Sequence, residues 1–321
     1  MIPRNMGGVP HDRSHLLWEG DIENGLATPL FLKSMDGWIN SMIFDEQGGG
    51  SGPKNIIKGK IISKDEGLLC GKPIVNRLLE IHFSECKIYW YVEEGGRIEK
   101  GQIILEIKGV AKEILKVERI MLNILGNLSG IATNTKKWVK IAPKIKIAAT
   151  RKTDWGLMDK WAVNVGGGCT HRLNRNDAVM LKENDFAAYM KHKEEYLQTI
   201  SRTIDEIDLS KIDDFIIVEV QNIDEVMMVV KAWEKKVQNS IKNNKIVLLL
   251  DNIDVDTVKI ISRKLIKNKL RKYCILEASG GIDIDSLNDW NNTDIEVISS
   301  SKLNRGVNPI DLSLLFEKEK M

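Results

Sequence analysis

Two groups of charged side chains of opposite sign lie in the second half of the chain. The first is a set of basic residues that would repel one another unless they faced an anionic ligand: Arg151, Lys152, His171, Arg172 and Lys182. Arg guanidinium groups bind carboxylates or phosphates through two parallel hydrogen bonds, whereas Lys contributes a point charge. These residue types therefore predict a pocket for a ligand that carries several negative charges.

The second group consists of the carboxylates Glu219 and Asp251, each at the end of a short apolar run. Such a pair suits Mg²⁺, or a positive charge that develops in a transition state. Ser279, Gly280 and Gly281 follow another run, and a Gly-rich turn lets backbone N–H groups approach a phosphate closely. Salt bridges to nearby cations and an ordinary turn are the alternative interpretations. Together the features predict transfer from a Mg²⁺-bound phosphorylated sugar to an anionic acceptor.

Seven apolar runs alternate with helical patterns after about residue 140 and predict parallel strands. They are KIKIAAT (144–150), WAVNVG (161–166), AVMLK (178–182), FIIVEV (215–220), KIVLLLD (245–251), CILEA (274–278) and IEVISS (295–300). Repeated βαβ units indicate a parallel sheet, and the spacing suits an incomplete (β/α) barrel. An open doubly wound sheet is the alternative, although no G-x-G-x-x-G follows the first run. Because barrels place their sites at the carboxyl ends of strands, six of the seven runs should deliver polar groups to one rim.

The part of the chain before residue 140 has a mixed α/β pattern. Gly48–Asn55 (GGGSGPKN) is typical of a flexible surface loop, and 113–139 has helical spacing with an expected break near Ser129 and Gly130. His11 and the other histidines outside the basic group show no ligand spacing, so no role at the site is expected for them.

Composition restricts the class of protein. The 321 residues are 43% hydrophobic, which favours a globular chain, and 47 Lys and Arg against 45 Asp and Glu disfavour general nucleic-acid binding. The four cysteines are widely spaced and indicate a reducing compartment. With no signal-like or membrane-spanning apolar stretch, we expect a soluble cytoplasmic protein with no membrane partner.

Several stretches, in order along the chain, resemble the quinolinate phosphoribosyltransferase family, also called nicotinate-nucleotide pyrophosphorylase (carboxylating). They are VERIMLNILGNLSGIAT (117–133), TRKT (150–153), KWAVNVGGGCTHR (160–172), DAVMLKEN (177–184), VEV (218–220), LLDN (249–252) and EASGGI (277–282), with a weaker match at DIENGLAT (21–28). The resemblance implies a type II phosphoribosyltransferase-like α/β fold, with an N-terminal α/β sandwich and a C-terminal partial (β/α) barrel. The expected domains are 1–128 and 129–300, with a segment 301–321 that packs back on the N-terminal domain.

The resemblance also implies the reaction and the roles of residues. Quinolinate and 5-phosphoribosyl 1-pyrophosphate would give nicotinate mononucleotide, pyrophosphate and CO2, with Mg²⁺ as cofactor. Glu219, Asp251 and Lys152 would be catalytic, and the two carboxylates would hold the metal. The substrate-binding set would be Arg119, Arg151, Lys152, His171, Arg172, Lys182, Glu219, Asp251, Ser279, Gly280, Gly281 and Ser301. The family forms homodimers with shared active sites, in which Arg119 reaches the partner's site; whether dimers assemble further stays open.

Four positions depart from the family's motifs. Leu157 stands where a cation is usual, Asp185 replaces the His of a Lys-Asp-Asn-His motif, Ser301 replaces a Gly, and Arg305 lies near a usual His. These differences leave two alternatives: transfer to nicotinate or another pyridine acid, and a catalytically weak anion-binding paralogue.

Overall fold

The computed structural model describes residues 8–46, 52–211, 215–238 and 245–316, so Gly48–Ser51 of the loop expected above lie outside it. The chain forms two compact units, which we call the parallel unit and the mixed unit. The parallel unit comprises the described residues of 1–12, 138–151 and 171–300, and the mixed unit those of 13–137, 152–170 and 301–321. The two expected domains were continuous in sequence, whereas each of these units is made of segments that are distant in sequence.

The mixed unit contains the following elements: β1 (Trp18–Glu19), β2 (Leu26–Ala27), α1 (Pro29–Glu46), β3 (Ile56–Ser63), β4 (Gly67–Leu68), α2 (Lys72–His82), β5 (Lys87–Trp90), β6 (Arg97–Ile98), β7 (Ile103–Val110), the greater part of α3 (Ala111–Ile141), α4 (Leu157–Val165) and β14 (Leu312–Phe316). Its main sheet is antiparallel with the strand order β14-β3-β7-β5. Two small sheets pair β1 with β2 and β4 with β6.

The parallel unit contains β8 (Lys146–Ala148), β9 (Val179–Leu181), α5 (Glu183–Tyr189), α6 (Tyr196–Glu206), β10 (Ile216–Val220), α7 (Ile223–Val237), β11 (Ile246–Asp251), α8 (Val255–Lys267), β12 (Cys274–Ser279), α9 (Leu287–Trp290) and β13 (Val297–Ser299). The strands form one parallel sheet in the order β8-β13-β12-β11-β10-β9. Residues 246–250 and 274–278 are all buried, as expected for central strands of a parallel sheet that is covered on both faces. The expected α/β class, with a partial (β/α) barrel, is confirmed.

One of the seven expected strands was wrong, because WAVNV is part of α4. Met158, Trp161, Ala162 and Val165 are buried at helical spacing, and the intervening residues of the helix are mostly buried as well. A helix buried on nearly all sides has the continuous apolar composition of a buried strand, so periodicity does not separate the two. The sheet therefore has six strands in the described part of the chain.

The expected break in the long helix was also wrong, since α3 continues through Ser129 and Gly130. A Cβ atom on Gly130 would lie 2.4 Å from the carbonyl oxygen of Asn308. This glycine permits a close approach of two backbone segments within the mixed unit. Among the described residues, no helix combines the length and apolarity that a membrane span requires.

Candidate active site

The carboxyl ends of the parallel strands bring several of the expected site residues to one edge of the sheet. Asp251 ends β11 opposite Ser279, which ends β12, and Ser279 in turn pairs with Ser299 of β13. Glu219 lies one residue before the end of β10, beside Leu249 of β11. The two carboxylates thus occupy neighbouring strands, as the pattern of apolar runs predicted.

Lys182 follows β9 and forms a salt bridge with Glu219. The Lys182 side chain is about half exposed and the Glu219 side chain is mostly buried. The backbone N–H of Lys182, the residue that precedes α5, donates to Asp185 Oδ2 at 3.0 Å, so the Asp185 carboxylate caps the start of α5 from within its first turn. The Asp at position 185 therefore has a structural role in this chain, because its carboxylate holds the backbone of Lys182, which pairs with Glu219.

The turn after β12 packs against the turn after β11. Gly280 has φ +93°, and the Asn252 backbone N–H donates to the Ser279 carbonyl oxygen at 2.9 Å. Asn252 itself has φ +55°, and its amide donates to Asp251 Oδ2 at 3.0 Å. Gly281, with φ +64°, is exposed and has open space around its Cα. The Gly-rich turn is thus directly connected to the carboxylate of Asp251.

Arg172 is buried, and its guanidinium donates to the Ala178 carbonyl oxygen and Met180 Sδ, each at 3.1 Å. Burial, and then the nearby charges of Arg151 and Arg175, lower the pKa of Arg172. Its Nε–H has no hydrogen-bond partner among the described residues. An unpaired buried donor between like charges favours an anionic ligand. Two of the five residues of the expected basic group, the exposed Arg151 and the buried Arg172, are therefore close enough for their charges to interact.

Glu277 is a buried acid that the sequence analysis quoted in a motif without assigning it a role. It accepts hydrogen bonds from His171 Nε2 at 3.0 Å and His11 Nε2 at 2.9 Å, and from the hydroxyl of Ser299. Although burial raises the pKa of Glu277, the hydrogen bonds that its carboxylate accepts from His171 and His11 hold it well below its usual range. The available signal was an acidic residue within the otherwise apolar strand CILEA.

Three expected site residues, Arg119, Lys152 and Ser301, belong to the mixed unit. Arg119 is exposed on α3, Lys152 is exposed, and Ser301 is half-buried at the start of a short 3₁₀ helix. Arg305, another departure from the family's motifs, lies 3.7 Å from Asp154 Oδ1 of the same unit.

Two domain models of one family match this chain. The family model for the quinolinate phosphoribosyl transferase C-terminal domain matches residues 131–315, and the model for its N-terminal domain matches residues 47–129. A "Probable nicotinate-nucleotide pyrophosphorylase (carboxylating)" of Methanothermobacter thermautotrophicus is 34% identical over 79% of this chain and 86% of its own. A protein of the same name from Archaeoglobus fulgidus is 30% identical over 82% of this chain and 95% of its own.

A solved structure agrees with these sequence matches. The nicotinate-nucleotide pyrophosphorylase of Francisella tularensis is 26% identical, with a TM-score of 0.75 over 93% of this chain and 100% of its own. Both family models match, in order, and together they span most of the chain. The chain belongs to the quinolinate phosphoribosyltransferase family.

Proposed function

We propose that the protein transfers the phosphoribosyl group of 5-phosphoribosyl 1-pyrophosphate to quinolinate, with decarboxylation, in de novo NAD biosynthesis. The products are nicotinate mononucleotide, pyrophosphate and CO2. The observation that carries the proposal is the placement of Glu219 and Asp251 on neighbouring strands, at the sheet edge where Lys182 and the Gly-rich turn also lie. In a chain of this family, that arrangement fits a phosphorylated sugar and an anionic acceptor.

The carboxylates act on the sugar. As pyrophosphate leaves, C1 of the ribose gains positive charge, which Glu219 and Asp251 stabilise electrostatically. Lys182 orients Glu219 through their salt bridge, and its half-exposed ammonium has further N–H donors for the departing diphosphate. Positioning and electrostatics account for most of such catalysis, so no activated nucleophile is required.

The cations of the parallel unit bind the acceptor. Arg151 and Arg172 attract the two carboxylates of quinolinate, and the unpaired Nε–H of Arg172 gives one of them a buried donor. Holding two carboxylates needs more positive charge than holding one, which favours quinolinate over nicotinate as acceptor.

The donor set fits Mg²⁺ as cofactor. Glu219 and Asp251 offer carboxylate oxygens on adjacent strands, and Mg²⁺ is commonly held by one or two carboxylates together with substrate phosphates. The ion would neutralise charge on the diphosphate. We also propose a homodimer in which the exposed Arg119 completes the partner subunit's site.

Turnover by the purified protein tests the proposal. With Mg²⁺ and 5-phosphoribosyl 1-pyrophosphate, quinolinate labelled at its 2-carboxyl carbon should yield labelled CO2 and unlabelled nicotinate mononucleotide, and nicotinate should yield little product. Asp251→Asn should lower kcat by about 100-fold, in the range of one electrostatic stabilising group. Asp256→Asn is the matched control, because Asp256 is an exposed acid on α8. Absence of turnover by the folded wild-type protein, or equal turnover of nicotinate, would overturn the proposal.

A further inference from the structure

Three buried side chains from distant parts of the chain meet inside the parallel unit. His11, His171 and Glu277 are 0%, 4% and 0% exposed, and His11 and Glu277 are 266 residues apart in sequence. The two imidazole Nε2 atoms bind different oxygens of the one carboxylate. His11 lies outside both regions matched by the family models.

The hydrogen bonds of His171 determine its tautomer. Its Nδ1 accepts the backbone N–H of Arg172 at 2.7 Å, so this nitrogen carries a lone pair. The proton of the neutral ring is then on Nε2, which donates to Glu277. Both ring nitrogens of His171 are therefore engaged within the protein, and the ring is linked to the Arg172 backbone.

The tautomer of His171 disfavours a metal ion at this cluster, although two His and one Glu are ligand types that metals use. A metal would need the lone pair of His171 Nε2, and the proton would then have to move to Nδ1. Nδ1 would lose the hydrogen bond from Arg172. The geometry instead fits a chain of hydrogen bonds from His11 to the Arg172 backbone.

His11 holds His171 in a second way. The His11 carbonyl oxygen accepts the His171 backbone N–H at 2.7 Å, and His171 has φ +55°, a left-handed conformation that is unfavourable for a residue with a side chain. Strained conformations of this kind persist where the surroundings fix them, and they occur often at functional sites. The strained residue directly precedes Arg172, so its conformation sets the direction in which the Arg172 side chain leaves the backbone.

We propose that His11 is a positioning residue for the reaction: it donates to Glu277, Glu277 orients His171, and His171 fixes Arg172 for the acceptor. This inference rests on the proposed function for its role in catalysis. The hydrogen-bonded chain itself does not depend on that function. Removing the His11 side chain should leave Glu277 with one hydrogen-bond donor fewer. His171 and Arg172 should then be held less rigidly.

The first test compares three variants by steady-state kinetics. His11→Phe keeps an aromatic ring beside Phe215 but removes the donor, and it should lower kcat/KM for quinolinate by about 100-fold, as expected for a displaced binding group. His11→Gln restores an N–H donor and should return kcat/KM to within about threefold of wild type. His192→Phe, at an exposed histidine, is the matched control and should change nothing.

Two kinetic results would overturn the inference. One is a folded His11→Phe protein with wild-type kcat/KM. The other is a His11→Gln protein that is impaired as much as His11→Phe, because the loss would then come from packing and not from the donor. Thermal unfolding of each variant shows whether it is folded at the assay temperature.

The second test separates this inference from the proposed function. In protein labelled with ¹⁵N-histidine, long-range ¹H–¹⁵N spectra report the tautomer of each ring, and His171→Asn identifies the His171 signals. We expect the neutral Nε2–H form for His171, and a shift of its Nε2–H resonance in His11→Gln. An Nδ1–H or doubly protonated His171 would overturn the chain of hydrogen bonds. This outcome is decided whether or not the protein turns over quinolinate.

Discussion

Substitution of Gly280 by Ala tests whether the turn after β12 is fitted to Asn252. A Cβ atom at position 280 would lie 2.3 Å from Asn252 Oδ1, 2.7 Å from Asn252 Cγ and 2.8 Å from the Asn252 backbone nitrogen. Rotation of the Asn252 side chain relieves only the first two contacts, and it breaks the hydrogen bond to Asp251. Gly281→Ala is a matched control, since it also has positive φ but no atom within 4 Å.

The expected loss of stability has two contributions, the left-handed backbone conformation and the crowding of the added Cβ atom. A left-handed conformation costs a residue with a Cβ atom about 1–2 kcal/mol, and both variants incur this cost. Overpacking adds about 1–3 kcal/mol in the Gly280 variant alone. For a unit of this size, 1 kcal/mol lowers the thermal midpoint by about 2–4 °C. The midpoint should therefore fall by about 2–8 °C for Gly281→Ala and by about 4–20 °C for Gly280→Ala.

Differential scanning calorimetry measures the two midpoints, and initial rates at a temperature where both variants are folded measure the effect on the site. Displacing Asn252 should also disturb Asp251, so Gly280→Ala should lose about tenfold more kcat than Gly281→Ala, which is about 1.4 kcal/mol of transition-state stabilisation. Equal midpoints for the two variants, or a larger loss in Gly281→Ala, would refute the reasoning from the packed turn.

Three further outcomes are expected. Arg119→Ala and Arg151→Ala proteins should each be inactive, but mixing them under conditions that exchange subunits should restore about a quarter of wild-type activity. Half of the dimers are then mixed, and each mixed dimer has one intact site out of two. No recovery of activity would contradict shared sites. Burial raises the pKa of Cys274 to about 11, so mass spectrometry should find this thiol unlabelled by maleimide at pH 8 until the protein is unfolded. Asp185→Ala should lower the free energy of unfolding, measured by denaturant titration, by about 1 kcal/mol, because α5 loses its cap. It should also raise KM for 5-phosphoribosyl 1-pyrophosphate, because Lys182 is then held less firmly. An unchanged unfolding midpoint would show that the cap contributes nothing.

The sequence predicted the parallel sheet, and the side chains that follow its strands, correctly for a physical reason. Strands that are buried on both faces are short, apolar and rich in β-branched residues, and parallel connections bring all their carboxyl ends to one edge. The placement of Glu219, Asp251 and Ser279 at that edge follows from their positions after successive runs. The salt bridge between Lys182 and Glu219 had been an alternative interpretation, and the structure contains it.

Local patterns did not determine every element. The run WAVNV was expected to be a strand and is helical, because a deeply buried helix and a buried strand have the same apolar composition. Gly130 was expected to break a helix, but it lies within one and allows close backbone packing. In both cases the deciding interactions come from neighbours that are distant in sequence.

The family, the α/β class and the charged residues that follow the strands could be predicted from the sequence, because they depend on residue types in order along the chain. The contact of His11 and His171 with Glu277, the cap that Asp185 provides for α5 and the assembly of each compact unit from separate segments are visible in the folded chain alone. Hydrogen bonds between residues 266 positions apart depend on how the chain packs in three dimensions, and neither spacing nor composition encodes them locally.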